Sequence, residues 1–230
     1  MKPLPETKIP AMDQVLYPNL QTATLAMGCF WGAEAYFGAV GGVVRTRVGF
    51  AGGTTENPTY RTLADHIEVV QLEFNPKEVT YGQLLERFFN QHTPTKEPRK
   101  RQYTSAIFFH NPEQEEVARQ VIKEAEGRLQ EKLKTEMHSY KAFYLAEERH
   151  QKWKLRRVPE VLQELQKIYP DPEAFNNSPA VARVNGYVAG IGEKERFMEE
   201  MGSLGLSYPV QQVLLAHFLA QELGGFSFKL

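Results

Sequence analysis

Apolar residues recur along this chain with two periods, near two and near 3.6, and the switches between them mark out its elements. Residues 22–27 are short and compact enough for a buried strand, and a helix is expected over 30–40. Residues 43–50 alternate with β-branched side chains and close on Gly52-Gly53, which reads as strand. The clearest strand covers 66–74 and ends at Asn75-Pro76. A helix over 81–91 has Thr80 as its cap and Gln83 three residues later, the spacing of a capping box. After a proline-broken stretch, 105–109 reads as strand. Asn111-Pro112 then opens a helix with acids in its first turn, expected to run to about 134. A strand over 141–145 and a helix over 147–157 follow.

That order predicts a two-layer α+β domain, with helices packed on a mostly antiparallel sheet. Past Pro159 the texture changes: 160–168, 194–201 and 209–223 look helical, no strand signal intervenes, and Pro170, Pro172 and Pro179 read as punctuation. Residues 1–20 are proline-dotted and aperiodic. The expected organisation is an arm over 1–20, a domain over 21–158 and a helical extension over 159–230. Val210, Val213, Leu214, Phe218 and Leu219 fall at helical spacing. They are expected to pack on the same chain, which points to a monomer.

Charge and composition narrow the function classes. With 27 basic and 28 acidic residues the net charge is −1, which calls for neither nucleic acid nor an anionic membrane surface. The basic run from Lys96 to Arg101 then reads as a solvated loop, although it could attract an acidic surface. No run approaches the ~18 apolar residues of a membrane helix. The opening residues lack the patterns of secretory and transit peptides, so a cytoplasmic location is expected. Six histidines show no pair at metal-ligand spacing, and with a single cysteine no metal site is expected.

That cysteine, Cys29, sits in Met27-Gly28-Cys29-Phe30-Trp31-Gly32-Ala33-Glu34 at the start of the first expected helix. Unpaired N–H groups there favour the thiolate, the nucleophilic form. The other reading is a small buried hydrophobe. The adjoining Phe30-Trp31 tilts toward reactivity, because two aromatics beside a thiol can form an apolar pocket. A lone thiol can become a sulfenic acid, but it needs another molecule's thiol to close a cycle.

Gly28-Cys29-Phe30-Trp31-Gly32-Ala33-Glu34 resembles the signature of the A-type peptide methionine sulfoxide reductases. The likeness continues in order through Asn57-Pro58-Thr59-Tyr60-Arg61, His66-Ile67-Glu68, Gln102-Tyr103-Thr104-Ser105 and Phe143-Tyr144-Leu145-Ala146-Glu147, and covers roughly 21–157. The resemblance implies a ferredoxin-like plait that reduces the S epimer of methionine sulfoxide, free or in peptides and proteins. Cys29 would be its nucleophile, and Phe30 and Trp31 the slot for the substrate's S-methyl group. Glu68 would be the acid that serves the departing oxygen, with the Tyr60 and Tyr103 hydroxyls aimed at that oxygen. Strand alternation supports Glu68 independently, since it shares a face with Val70, Leu72 and Phe74, and desolvation there would keep its proton on. Glu34 is expected to be structural. No bound cofactor is implied. The reductant would be external: thioredoxin, glutaredoxin with glutathione, or a small dithiol.

Three departures stand out. This chain has no resolving cysteine, the Tyr60–Glu68 loop is trimmed, and Pro98-Arg99-Lys100-Arg101 replaces the acid usual before Gln102-Tyr103. The stretch 178–187 resembles tails of longer members of the same group. Two other readings compete, a non-catalytic binder of oxidised methionine and a thiol peroxidase. The aromatic pair argues against the peroxidase, which has no methyl group to clamp. The retained acid and tyrosines argue against the binder.

Overall fold

A computed structural model describes residues 9–223. Strands β1 (Gln21–Met27), β2 (Val43–Ala51), β3 (Ile67–Phe74), β4 (Ser105–Phe109), β5 (Glu136–Ser139) and β6 (Tyr144–Leu145) form one sheet in the order β5-β4-β1-β3-β2-β6. Every pairing is antiparallel except β4 with β5. With helices α1 (Phe30–Gly38) and α2 (Tyr81–Gln91), the central strands trace β1-α1-β2-β3-α2-β4, a ferredoxin-like plait. The fold class is therefore α+β, with a helical extension beyond the plait.

Alternation along β3 sets the layers. Val70, Leu72 and Phe74 face the helices and join Phe37, Leu84, Leu85 and Phe88 in the main core. Ile67 and Val69 face the other way, joining Ala26, Ala51, Ala106 and Phe108 beneath Tyr140 and Phe143. Local caps fix the helix starts. Gln83 N–H donates to Thr80 Oγ1 at 3.2 Å while Thr80 N–H donates to Gln83 Oε1 at 2.9 Å. The helix α3 (Pro112–Leu129) begins with Asn111 accepting from Gln114 N–H at 2.8 Å and proline in its first turn.

Four expectations need correction. The α3 helix stops at Leu129 rather than near 134, because Gln130 turns left-handed at φ 54°. The chain then returns as β5, an edge strand whose polar sequence Glu-Met-His-Ser gave no alternation to read. The strand expected over 141–145 shrinks to β6, because Tyr140 and Phe143 instead cover the sheet's second face. The helix expected over 147–157 is two single 3₁₀ turns, Glu148–His150 and Leu155–Arg157. Between them Lys152 is left-handed at φ 53°, and the Gln151 side chain bonds β2 as a strand would: it accepts from Val48 N–H at 3.0 Å and donates to Val48 O at 2.8 Å. Tertiary bonding overrode a helical periodicity.

Five helices follow: α4 (Pro159–Ile168), α5 (Pro172–Asn177), α6 (Pro179–Tyr187), α7 (Lys194–Glu200) and α8 (Tyr208–Leu223). Pro172 and Pro179, read as punctuation, are instead first residues of helices, capped by Asp171 and Ser178. These helices bury a second core that includes Leu165, Val184, Tyr187, Phe197 and Phe218. It is tied to the plait where α6 crosses α1. A Cβ on Gly38 would collide with Ala182 O, and one on Gly186 would lie 2.6 Å from Ala35 O, so neither position has room for a side chain. Of the expected arm, residues 1–8 lie outside the described residues. Ala11–Gln14 form one 3₁₀ turn whose Asp13 accepts from Ala180 N–H at 2.7 Å, at the start of α6.

Candidate active site

The site gathers at one end of the central strands. β1 ends at Met27, and Gly28 makes the turn into α1 with φ 95°, a conformation only glycine adopts without strain. Cys29 follows as the N-cap of α1 and is partly exposed. Its neighbour Phe30 is buried, and Phe30 N–H, the first free donor of the helix, points at Glu68 Oε2 at 3.0 Å. The acid on β3 and the thiol therefore share one helix end. Gln102 Nε2 donates to the other Glu68 oxygen at 2.9 Å.

Burial pushes the Glu68 carboxyl up, outweighing the two hydrogen bonds that pull it down. The acid sits almost wholly out of solvent, so its proton is held more tightly than on a surface glutamate. The thiol behaves otherwise than helix position alone predicts. Burial pushes Cys29 up as well, against the amides of Trp31 and Gly32 that pull it down, and the nearby Glu68 charge adds to the rise. The resting group is a thiol. The helix-end amides of Trp31 and Gly32 do not offset the burial that pushes it up.

Tyr60 and Tyr103 converge on the same place from different loops. Their hydroxyls are hydrogen-bonded, and Tyr103 is pushed up to about 12 by burial first, then by the charges of Glu68, Tyr60 and Cys29. Tyr60 stacks on Phe30 at 6.5 Å between centroids. Its loop is held at the base by His66, which accepts from Gly53 N–H at 3.2 Å and bonds Thr55 O at 2.7 Å. Thus Cys29, Phe30, Trp31, Glu68, Tyr60 and Tyr103 are brought together, and Glu34 stands apart. Glu34 is fully buried and takes Lys152 Nζ at 2.6 Å and Lys152 N–H at 2.7 Å.

Sequence reasoning missed the residues that complete the wall. Trp31 donates its indole N–H to His150 Nδ1 at 3.1 Å, which fixes the His150 proton on Nε2 and the ring as neutral. Burial holds His150 below the usual imidazole range, consistent with that tautomer. The His150 ring lies 4.5 Å from Tyr60 and 5.5 Å from Phe30. Trp153 stacks face to face on Trp31 at 4.4 Å and 6°. Gln102 occupies the turn after the departing basic run and supplies a polar contact to the acid. Motif order placed Gln102 beside Tyr103, but nothing local signalled its bond to Glu68. A separate cavity of about 700 Å³, lined by Tyr36, Arg87 and Arg196, contains none of these groups. Among the described residues no cluster of three or more His, Cys, Asp or Glu could hold a metal, and no helix is long and apolar enough to cross a membrane.

A plait that sets a cysteine and a buried carboxyl at one helix end, walled by aromatics, defines a thiol-based redox site. The family model described as peptide methionine sulfoxide reductase matches residues 21–183, and the chain belongs to that family of oxidoreductases. A peptide methionine sulfoxide reductase of Drosophila melanogaster is 40% identical over 203 residues, covering 87% of this chain and 81% of the fly protein. A second relative, MsrA of Sulfolobus acidocaldarius, is 43% identical over 140 residues, covering 57% of this chain and 80% of its own. Among solved structures, the reduced form of Mxr1 from Saccharomyces cerevisiae superposes with a TM-score of 0.58 at 30% identity, over 64% of this chain and 91% of that one. Methionine sulfoxide reductase A of Corynebacterium diphtheriae gives 0.54 at 32% identity, over 62% and 76%.

Proposed function

We propose that this chain reduces methionine-S-sulfoxide, free or within peptides and proteins, to methionine. In this reading the S-methyl group rests against Trp31 above the buried Phe30, and the sulfoxide oxygen faces Glu68, Tyr60 and Tyr103. Cys29 Sγ, as thiolate, attacks the sulfoxide sulfur while Glu68 gives its proton to the oxygen. The tyrosine hydroxyls stabilise the negative charge that oxygen gains. Thiol and sulfoxide become sulfenic acid and thioether: Cys29 loses two electrons and the substrate sulfur gains them. An external thiol then displaces hydroxide from Cys29, forming a mixed disulfide and water. A second thiol frees Cys29 and leaves as disulfide.

Thioredoxin, glutaredoxin with glutathione, or a dithiol fits that step. We place the chemistry in residues 21–158, with 1–20 as an arm and 159–230 as a helical brace, in a cytoplasmic monomer. The observation that carries the reading is the Phe30 N–H bond to Glu68, which sets a raised-pKa acid one residue from the thiol.

The test is turnover of the separate S and R epimers of a blocked methionine sulfoxide with dithiothreitol. The S epimer alone should react, and Cys29→Ser should abolish it. Reaction of the R epimer, or binding of either without turnover, would defeat the proposal.

A further inference from the structure

Two stacks of rings meet beside the thiol. Trp31 and His150 form their inner layer, joined edge to edge by the indole N–H bond and inclined by only 18°. In the first stack Trp153 lies face to face on Trp31 at 4.4 Å, and the Arg157 guanidinium lies 4.5 Å from the Trp153 ring. A ring has two faces, so with Trp31 on one the guanidinium takes the other. In the second stack Tyr60 lies 4.5 Å from the His150 ring, and the Arg149 guanidinium lies 5.9 Å over Tyr60. Each stack ends in an exposed arginine of the return segment that follows β6.

The two ends differ in charge. Arg149 pairs with Glu147 at 3.5 Å, and Glu147 also accepts from Tyr60 N–H at 3.3 Å. Glu148 is taken by Arg156 and by Asn176 Nδ2 at 2.8 Å, and Lys152 by Glu34. Among the described residues no hydrogen bond or ion pair engages the Arg157 guanidinium, which the Trp153 ring alone holds in place. Lys154 Nζ, 5.6 Å from the same ring, adds to the positive charge there. A guanidinium stacked by its face keeps its N–H donors free at its edge, the geometry that grips a carboxylate. The loop that supplies Gln102 and Tyr103 also carries exposed Arg99 and Lys100. Two of the segments that build the site therefore bring positive charge to it.

We propose that Arg157 is a specificity-determining residue: fixed by the Trp31–Trp153 stack, its guanidinium receives the carboxylate of an acidic residue flanking the oxidised methionine of a peptide substrate. The inference rests on the proposed reaction for the placement of that methionine, whose S-methyl group lies against Trp31. An extended chain advances ~3.4 Å per residue, so a side chain one or two positions from the methionine spans the two ring layers between Trp31 and Arg157. Arg157 lies outside every motif that carries the family resemblance.

The experiment measures binding without turnover. Acetylated, amidated pentapeptides with methionine-S-sulfoxide at the centre, flanked on both sides by glutamate, glutamine or lysine, are titrated into the Cys29→Ser protein. Tryptophan fluorescence follows the binding, because Trp31 and Trp153 are the chain's two tryptophans. The glutamate peptide should bind about fivefold more tightly than the lysine peptide, the scale of an exposed ion pair, and the preference should fade at high salt. Adding Arg157→Met or Arg157→Gln should shrink the ratio to below about twofold and leave the affinity for the glutamine peptide in place. Arg149→Gln, which removes a charge already paired, should keep the preference. Equal or unmeasurable affinities for the acidic and basic peptides would overturn the proposal, as would a preference that survives in whichever Arg157 variant folds. So would a loss of affinity for all three peptides alike, which marks packing of the stack, or an equal loss of preference in Arg149→Gln, which marks net charge. Failure of wild type to reduce the S epimer with dithiothreitol would instead sink the proposed reaction, while the titrations still decide the role of Arg157.

Discussion

Glu68 and Cys29 divide one proton between them, and this governs how the reaction should respond to pH. In the proposed reaction the reactive state has the proton on Glu68 and none on Cys29. A resting state with the same proton count favours the reverse, because burial pushes both groups up from ordinary values of which the thiol's is the higher. The rate should therefore follow the fraction of single-proton enzyme. It should rise with pH as the doubly protonated form disappears through the Glu68 titration, level off between the two titrations, and fall as Cys29 loses the last proton. Glu68→Gln keeps a hydrogen-bond donor but has no proton to give. Its kcat/KM should drop by roughly 10²–10⁴-fold. The acid limb should vanish, leaving a rate that climbs with pH until Cys29 is fully ionised. Profiles of kcat/KM between pH 4 and 10 for both proteins check this, and an acid limb retained in Glu68→Gln would assign it to another group.

α1 carries the thiol at one end and is anchored from its middle to the return segment that brings in His150, Trp153 and Lys154. The anchor is the Glu34–Lys152 pair, both side chains at 0% exposure, with Lys152 Nζ also donating to Thr46 O at 2.6 Å. Removing one partner leaves an uncompensated buried charge, so Lys152→Met should destabilise the fold by ~3–5 kcal/mol in urea unfolding. Combining it with Glu34→Leu should recover much of that loss, since an apolar pair needs no compensation. A double variant as unstable as the sum of the singles would contradict that coupling. This anchor also shows where sequence reading ran out. β1, β3, α2 and the start of α3 were legible because periodicity and caps are local. The placement of Cys29 at a helix start was legible from its motif, and that of Glu68 from a motif and a strand face that coincide there. Lys152, His150 and Trp153 were not, because helical spacing over 147–157 concealed side chains whose partners lie more than a hundred residues earlier. The short helices α5 and α6 were missed for a related reason, since a proline at a first helical position looks the same as a proline in a loop.

Besides the two clusters on the faces of the sheet, the described residues bury a core in the helical extension, at the end of α1 away from the thiol. Among the described residues, α6 meets α1 around Gly38 and Gly186, and Arg183 of α6 donates to Val40 O at 2.9 Å, beyond the helix's carboxyl end. The described helices of the extension therefore brace α1 from the end opposite the thiol. With one cysteine in the 230 residues, no disulfide can form within them, so in the proposed reaction each oxidising equivalent stays on the Cys29 sulfur until an outside thiol arrives. This has a countable consequence. Mixed with excess methionine-S-sulfoxide and no reductant, the enzyme should release one equivalent of methionine per chain and stop. The stalled protein should be trapped by dimedone as a single adduct and should show no loss of mobility-sensitive crosslinks on reduction. Adding dithiothreitol before the trap should restart turnover. A yield of two equivalents per chain would require a second electron-donating group in the protein, and would mean that recycling does not depend on an external thiol in the way a lone Cys29 demands.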